Sequence, residues 1–357
     1  MSNIVFILGA GCSKLAGVPL INEFLDTAHR LHTIEEVKPQ SEHFERVFKA
    51  IGSLQLVHSK AQLDLNNIES IFNAFEIANT IKKLPGFDSD AIPQVIQSLK
   101  EVIVATIQKT LVFPVFQSRL AIPPPYDSFA KLLSYLTQQA TPRETISIIT
   151  FNYDIAIDVA LYLSGIRYDY CIENTDCSGI PLLKLHGSLN WASRTTDNAI
   201  IPLTLSEYFK YYHLTFPQDR RNTIIPIGSQ LKEYFSKHSQ EQVNNEPFIV
   251  PPTWNKADHY ASINSVWARA AYDLGEAEYI FIIGYSLPGT DFFFRLLYAL
   301  GTVSDTPLKS IKVFNPDGGS SIQERFESIL GAAAKARYKY TKFTFQDAIP
   351  SIRGLFQ

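Results

Sequence analysis

The stretch at residues 3–19, NIVFILGAGCSKLAGVP, constrains this chain more than any other. An unbroken apolar run from Ile4 to Leu8 enters Gly9-Ala10-Gly11, the way a fully buried strand meets a tight turn. A strand buried on both faces belongs to a parallel sheet, so the expected fold class is α/β, with a Rossmann-like parallel sheet. Cys12, Ser13 and Lys14 come next, then Gly17-Val18-Pro19 and the helical-looking INEFLDTAHRL. Glycines between a strand and the start of helical structure lie where backbone N–H groups and the helix dipole can hold a diphosphate. The dinucleotide pattern GxGxxG is not completed, because Lys14 stands at its third glycine, so an ordinary strand-to-helix turn is the competing reading.

At 357 residues the chain is long for one domain and short for three. Its formal net charge of -3 has no block of like charge behind it, which argues against sequence-independent nucleic-acid binding as the main task. The three cysteines, Cys12, Cys171 and Cys177, include no CxxC pair. Neither a disulfide framework nor a four-cysteine zinc site is expected, no metal is implied, and a reducing, cytoplasmic setting fits. The opening apolar run is too short to span a bilayer and lacks a basic leader, so no membrane role is expected.

Between the sheet-forming segments lie two insertions, at residues 33–140 and 192–256, within what reads as a single domain over 1–357. The first is helical. Ile68, Ile71, Phe72 and Phe75 recur at helical spacing behind Asn66 and Asn67, either of which could cap, and Val95, Leu99, Val102 and Ile103 repeat the pattern. Such stripes are packing faces, and the Pro-rich run at 121–126 carries the chain back to the sheet. The second insertion is rich in aromatics such as Tyr208, Phe209, Tyr211 and Tyr212, and lid and core filler stay open as its roles.

Four further strand-like runs end in polar or glycine clusters. ISIITFNYD ends in Asn152 and Asp154, which would face a crevice at the carboxyl edge of a parallel sheet or cap the following helix. PLLKLHGS places His186 at another strand end, as a candidate general base or a structural histidine, with Gly187 allowing close approach. YIFIIGYSLPGTD supplies Gly284 and Ser286 as phosphate donors and Asp291 as a helix cap. SIKVFNPDGG ends in Asn315 and Asp317, suited to ribose hydroxyls.

Taken in order, GAGCS, TFNYD, KLHGS, GYSLPGTD and FNPDG resemble the Sir2 (sirtuin) fold, specifically its bacterial SIR2-like branch of antiviral defence proteins. NIESIF near Ile68 and VPPTWNK near Pro251 are similar to that branch too. The resemblance implies that Gly9, Ala10, Gly11 and Ser13 cradle the NAD diphosphate with Gly284 and Ser286. It assigns Asn152 to the nicotinamide ribose and a water, Asp154 to the nicotinamide carboxamide, His186 to the catalytic base and Asn315 to the adenosine ribose. Deacetylase sirtuins follow the first loop with GIPDFR and carry a four-cysteine zinc module; here the loop reads GVPLINEF and those cysteines are missing. That departure favours transfer to water over transfer to an acyl group. The expected activity is therefore NAD+ hydrolysis to nicotinamide and ADP-ribose, in an antiphage role by NAD+ depletion. An NAD-dependent deacylase or ADP-ribosyltransferase and a non-catalytic NAD or ADP-ribose sensor are the alternatives. A homo-oligomer or an activating partner, such as a HerA-like ATPase or an Argonaute-like protein, is implied for the trigger.

Overall fold

The computed structural model describes residues 3–55, 63–141, 144–173, 177–213, 216, 220–250, 261–289 and 292–357, the side chains of 261, 292 and 293 excepted. Strands β1 (Ile4–Leu8), β4 (Ile146–Thr150), β5 (Tyr168–Asp169), β6 (Ile180–Lys184), β11 (Tyr279–Ile283), β12 (Ser310–Phe314) and β13 (Tyr338–Thr341) form the main sheet. Its order is β13-β12-β11-β1-β4-β6-β5, and every neighbouring pair is parallel. β1, β4 and β6 are buried along their full length, as strands covered on both faces must be. The chain winds outward from β1 in both directions, through β4 to β6 and β5 and through β11 to β13, so the topological switch lies at β1. This is the α/β, Rossmann-like class that the first apolar run predicts.

Register fixes what the sheet presents at its carboxyl edge. Leu8 lies level with Ile283 on one side and Thr150 on the other, Ile283 with Phe314, and Thr150 with Lys184. The residues that follow, Gly9, Gly284, Phe151, Asn315 and Leu185, therefore emerge side by side from five adjacent strands, a row about 19 Å across at about 4.8 Å per strand.

Two small antiparallel sheets accompany it. One joins β2 (Phe113–Phe116), β3 (Arg119–Leu120) and β9 (Asn222–Thr223); the other joins β7 (Gly187–Arg194), β8 (Ile200–Pro202) and β10 (Val243–Ile249). β7 begins directly after His186, and β10 brings the chain back against it, with the Val250 N–H donating to the His186 carbonyl at 2.8 Å. Tyr208 is wholly buried while Tyr211 is exposed, so at least the first of these aromatics fills core.

The helices Ser41–Gln55, Ile68–Thr80 and Ile92–Thr110 bury Phe44, Phe72, Phe75, Leu99 and Val102 against one another. Of the two candidate caps it is Asn67 that acts, its Oδ1 accepting from Glu69 N–H at 2.8 Å and Ser70 N–H at 3.3 Å. Asn67→Ala is expected to cost about 1 kcal/mol in a denaturant melt, with Asn66→Ala close to neutral.

Where the helix Ile92–Thr110 approaches β10, burial and the Glu246 carboxylate push the Glu101 carboxyl up to about 7. Its ionised form is disfavoured in the fold, so it subtracts stability as the pH rises from the ordinary carboxylate range to about 7, and by a constant amount above. Glu101→Gln is thus expected to be the more stable form at pH 8, by on the order of 1 kcal/mol, with the two proteins converging near pH 4. Melts across that range check the sign.

Past the glycine turn the chain makes three-residue 3-10 turns at Ala10–Cys12 and Lys14–Ala16, and the α-helix Phe24–Thr33 follows within the stretch that the sequence reads as helical. Gly17, in a left-handed conformation at φ 102°, ends the second turn. Cys171 and Cys177, read as unpaired for want of a CxxC spacing, are joined by a disulfide with their Cα atoms 5.5 Å apart. The expected Asp291 cap and, of VPPTWNK, residues 251–256 lie outside the described residues. Among those described, no helix is long and apolar enough to cross a membrane, and no cluster of three potential metal ligands occurs.

Candidate functional site

The turn after β1 and the turn after β11 are packed backbone to backbone. A Cβ on Gly9 would stand 2.5 Å from the Tyr285 Cα, and one on Gly11 2.9 Å from the Gly284 Cα. Gly284 itself is held at φ 61°, with the Cys12 nitrogen 2.7 Å from where its Cβ would be. Only glycine meets all three demands.

That packing consumes most of the donors expected to face a phosphate. Gly9 N–H donates to Ile283 O at 3.0 Å, Gly11 N–H to Gly284 O at 2.9 Å, Cys12 N–H to Gly9 O at 3.0 Å and Ser13 N–H to Ala10 O at 3.1 Å. Gly284 N–H is likewise taken by Phe314 O at 3.0 Å. Of the amides from Gly9 to Ser13, Ala10 alone has no acceptor among the described residues. The expectation of a glycine cradle presenting several N–H groups is reduced to Ala10, and the turn is too short for a helix dipole to add to it.

Ser13 is wholly buried and forms a hub instead of lining an opening. Its hydroxyl meets the Tyr126 hydroxyl at 2.9 Å and receives the Asn152 Nδ2 at 3.2 Å. Asn152 also donates from Nδ2 to the Gly9 carbonyl at 3.0 Å, which ties the end of β4 to the turn after β1. Asp154 accepts from Ala156 N–H at 2.9 Å, so it holds the start of the helix Ala156–Leu163 as well as facing Ser13. Burial raises its carboxyl above the usual range, against the opposing pull of Lys184 and of the Ser13 hydrogen bond.

His186 is buried at 4% exposure, its ring edge-on to Phe151 at 5.2 Å and tilted against Tyr153 at 6.1 Å. Phe151 in turn stacks on Tyr285 at 4.6 Å, so an aromatic bridge runs from the end of β6 across β4 to the end of β11. A Cβ on Gly187, at φ 83°, would lie 2.2 Å from Phe248 O, which is how β10 comes close enough to seat the histidine. Asn315 donates to Tyr285 O at 3.3 Å and accepts from Asp317 N–H at 3.0 Å. Ser286 is half-buried two residues beyond Gly284, and its carbonyl accepts from Arg325 at 3.1 Å.

The structure thus brings Gly9, Ser13, Asn152 and Tyr126 into one hydrogen-bonded cluster, with Asp154 two residues beyond Asn152 and with Gly11 and Gly284 in backbone contact beside it. His186 and Asn315 join it through Phe151 and Tyr285. Sequence reading passes over Tyr126, Phe151, Tyr285 and an ion pair beneath the site. There Lys184 and Asp158, both wholly buried, meet at 3.0 Å, and Lys184 also donates to the Asp154 carbonyl at 2.6 Å. Tyr170 donates to the other Asp158 oxygen and accepts from Asn190 Nδ2 at 2.7 Å. A lysine in an otherwise apolar strand and an aspartate in an apolar helix were the available signals, because a buried charge demands a partner.

No family model and no curated protein matches the chain. Among solved structures, a Sir2 homologue in complex with NAD is 14% identical, with 99% of this chain and 88% of that one covered at a TM-score of 0.40. Sir2Tm bound to a propionylated peptide is 11% identical, with 99% and 93% covered at 0.38. A structure on the basis of sirtuin substrate affinity is 11% identical, with 99% and 94% covered at 0.40. Likeness at this level carries no weight for the chemistry, which rests on the strand ends themselves.

Proposed function

We propose that this chain is an NAD+ glycohydrolase, cleaving the bond between nicotinamide and ribose with water as the acceptor. The observation that carries the reading is the Asn152 amide, fastened to the Gly9 carbonyl at the switch point of a parallel sheet, in one row with the ends of four other motif-bearing strands. Open α/β sheets bind ligands at that edge and at that point. In this reading Ala10 N–H and Ser286 meet the diphosphate, Asp154 orients the nicotinamide carboxamide, and Asn315 contacts the adenosine ribose. The bond from the ribose anomeric carbon to the ring nitrogen breaks with its electron pair going to nicotinamide. Water adds to the carbon, and its proton leaves through His186. Positive charge builds on the ribose during this step, so the work of the site is to orient the ring and the water against it.

By the same resemblance the activity belongs to antiphage defence by NAD+ depletion, in the cytoplasm, with a homo-oligomer or a HerA-like or Argonaute-like partner as trigger. Residues 33–140 and 192–256 are taken as its helical and lid-like insertions. The test is to incubate the purified protein with NAD+ and follow nicotinamide and ADP-ribose by chromatography, alone and with the proteins encoded beside its gene. Equal release of both products without any acceptor supports the hydrolase. Product formation only with an acylated or nucleophilic acceptor supports a transferase, and ADP-ribose binding without nicotinamide release in every mixture supports a sensor.

A further inference from the structure

Hydrogen-bond capacity fixes which end of the Asn152 amide faces the cluster. A carbonyl oxygen only accepts, so the Asn152 atom facing Gly9 O is the amide nitrogen, and that nitrogen also reaches Ser13 Oγ. Both amide hydrogens are then used. Ser13 has one hydrogen to give and two lone pairs to fill. One lone pair receives Asn152, and the Tyr126 hydroxyl, 2.9 Å away with either group able to donate, engages Ser13 on a second side. Ser13 is thus held on two sides within the cluster, and the Asn152 carbonyl oxygen is the side-chain atom that remains for a ligand.

We infer that Tyr126 is a positioning residue: acting through Ser13, it holds the Asn152 amide with its oxygen toward the substrate, so that Asn152 accepts from a ribose hydroxyl or the attacking water. This rests on the glycohydrolase reading, and it makes Ser13 an orienting group where the family resemblance implies a diphosphate ligand. Tyr126 is suited to the role. Its ring is buried edge-on to Phe345 at 5.3 Å, and burial lifts its hydroxyl well above the usual range, so it stays a donor. It starts the helix Tyr126–Gln139 at the end of the first insertion, 113 residues from Ser13 in the chain.

Tyr126→Phe keeps the ring and removes only the hydroxyl that meets Ser13. In protein labelled with 15N-asparagine, the Asn152 side-chain amide signals, identified by their loss in Asn152→Ala, are expected to exchange with water at least about tenfold faster in Tyr126→Phe, as they lose order. Unchanged exchange overturns the proposal. In steady-state nicotinamide release, kcat is expected to fall about ten- to a hundredfold with KM within about threefold, because a misaligned group costs rate and not ground-state binding. The Tyr126→Phe, Asn152→Ala double variant should be no slower than Asn152→Ala alone. A rise in KM with kcat intact, or additive losses in the double variant, overturns it too. ADP-ribose binding by Ser13→Ala should stay within about threefold of wild type, whereas a loss of tenfold or more would return Ser13 to the diphosphate. Should the wild-type protein release no nicotinamide in any mixture while exchange still quickens in Tyr126→Phe, the glycohydrolase reading falls and the orienting geometry stands.

Discussion

Lys184→Met is expected to destabilise the protein by about 3–5 kcal/mol, a large fraction of what holds a domain together. The reason is what the substitution leaves behind. Asp158 is wholly buried, its carboxylate balanced by the Lys184 ammonium at 3.0 Å and by the Tyr170 hydroxyl. Without the lysine a carboxylate stays in an apolar interior with no opposing charge, and the Asp154 carbonyl loses the donor that now reaches it at 2.6 Å. The damage comes from the orphaned group, so removing both partners should hurt less than removing one. The double variant Lys184→Met, Asp158→Leu is expected to recover roughly half or more of the loss, with Tyr170 and the Asp154 carbonyl accounting for the remainder. Guanidinium melts read this as a shift in midpoint at constant slope. A Lys184→Met protein within about 1 kcal/mol of wild type would mean that the ammonium contributes little where it sits.

How much of this was legible in the sequence follows from the range of each interaction. The apolar runs Ile4–Leu8, Ile146–Thr150, Ile180–Lys184, Tyr279–Ile283 and Ser310–Phe314 announce buried strands through local composition alone, and the residues just beyond them are the ones that meet. The strand ends were readable because register in a parallel sheet carries them to one edge whatever lies between. Which groups point into the cleft was not. The glycine turn looks the same in sequence whether its amides face a ligand or the neighbouring strand, and it is Gly284, more than 270 residues away, whose carbonyl claims Gly11. Nothing in the sequence near Ser13 announces that it is wholly buried between Tyr126 and Asn152.

Asn152→Ala and His186→Ala are each expected to lower nicotinamide release by about a hundredfold or more while leaving a folded protein. For Asn152 the two effects separate cleanly. The alanine leaves the Gly9 carbonyl and Ser13 with one donor fewer each, a modest cost at a half-buried position, whereas the carbonyl oxygen that would steady a ribose hydroxyl or water is lost outright. Asn152→Asp, though closest in shape, should be worse than alanine in stability. It sets a carboxylate oxygen against the Gly9 carbonyl 3.0 Å away, two residues from the buried Asp154. The order wild type, then alanine, then aspartate in a thermal melt is therefore specific to an amide that donates inward and accepts outward, and the reverse order of the two variants would require the amide to face the other way. For His186 the general-base contribution is on the order of a hundredfold, and its ring also packs against Phe151, so His186→Gln serves as the control that retains bulk and hydrogen bonding without the base. Nicotinamide release at the wild-type rate in Asn152→Ala or in either His186 variant removes that residue from the reaction.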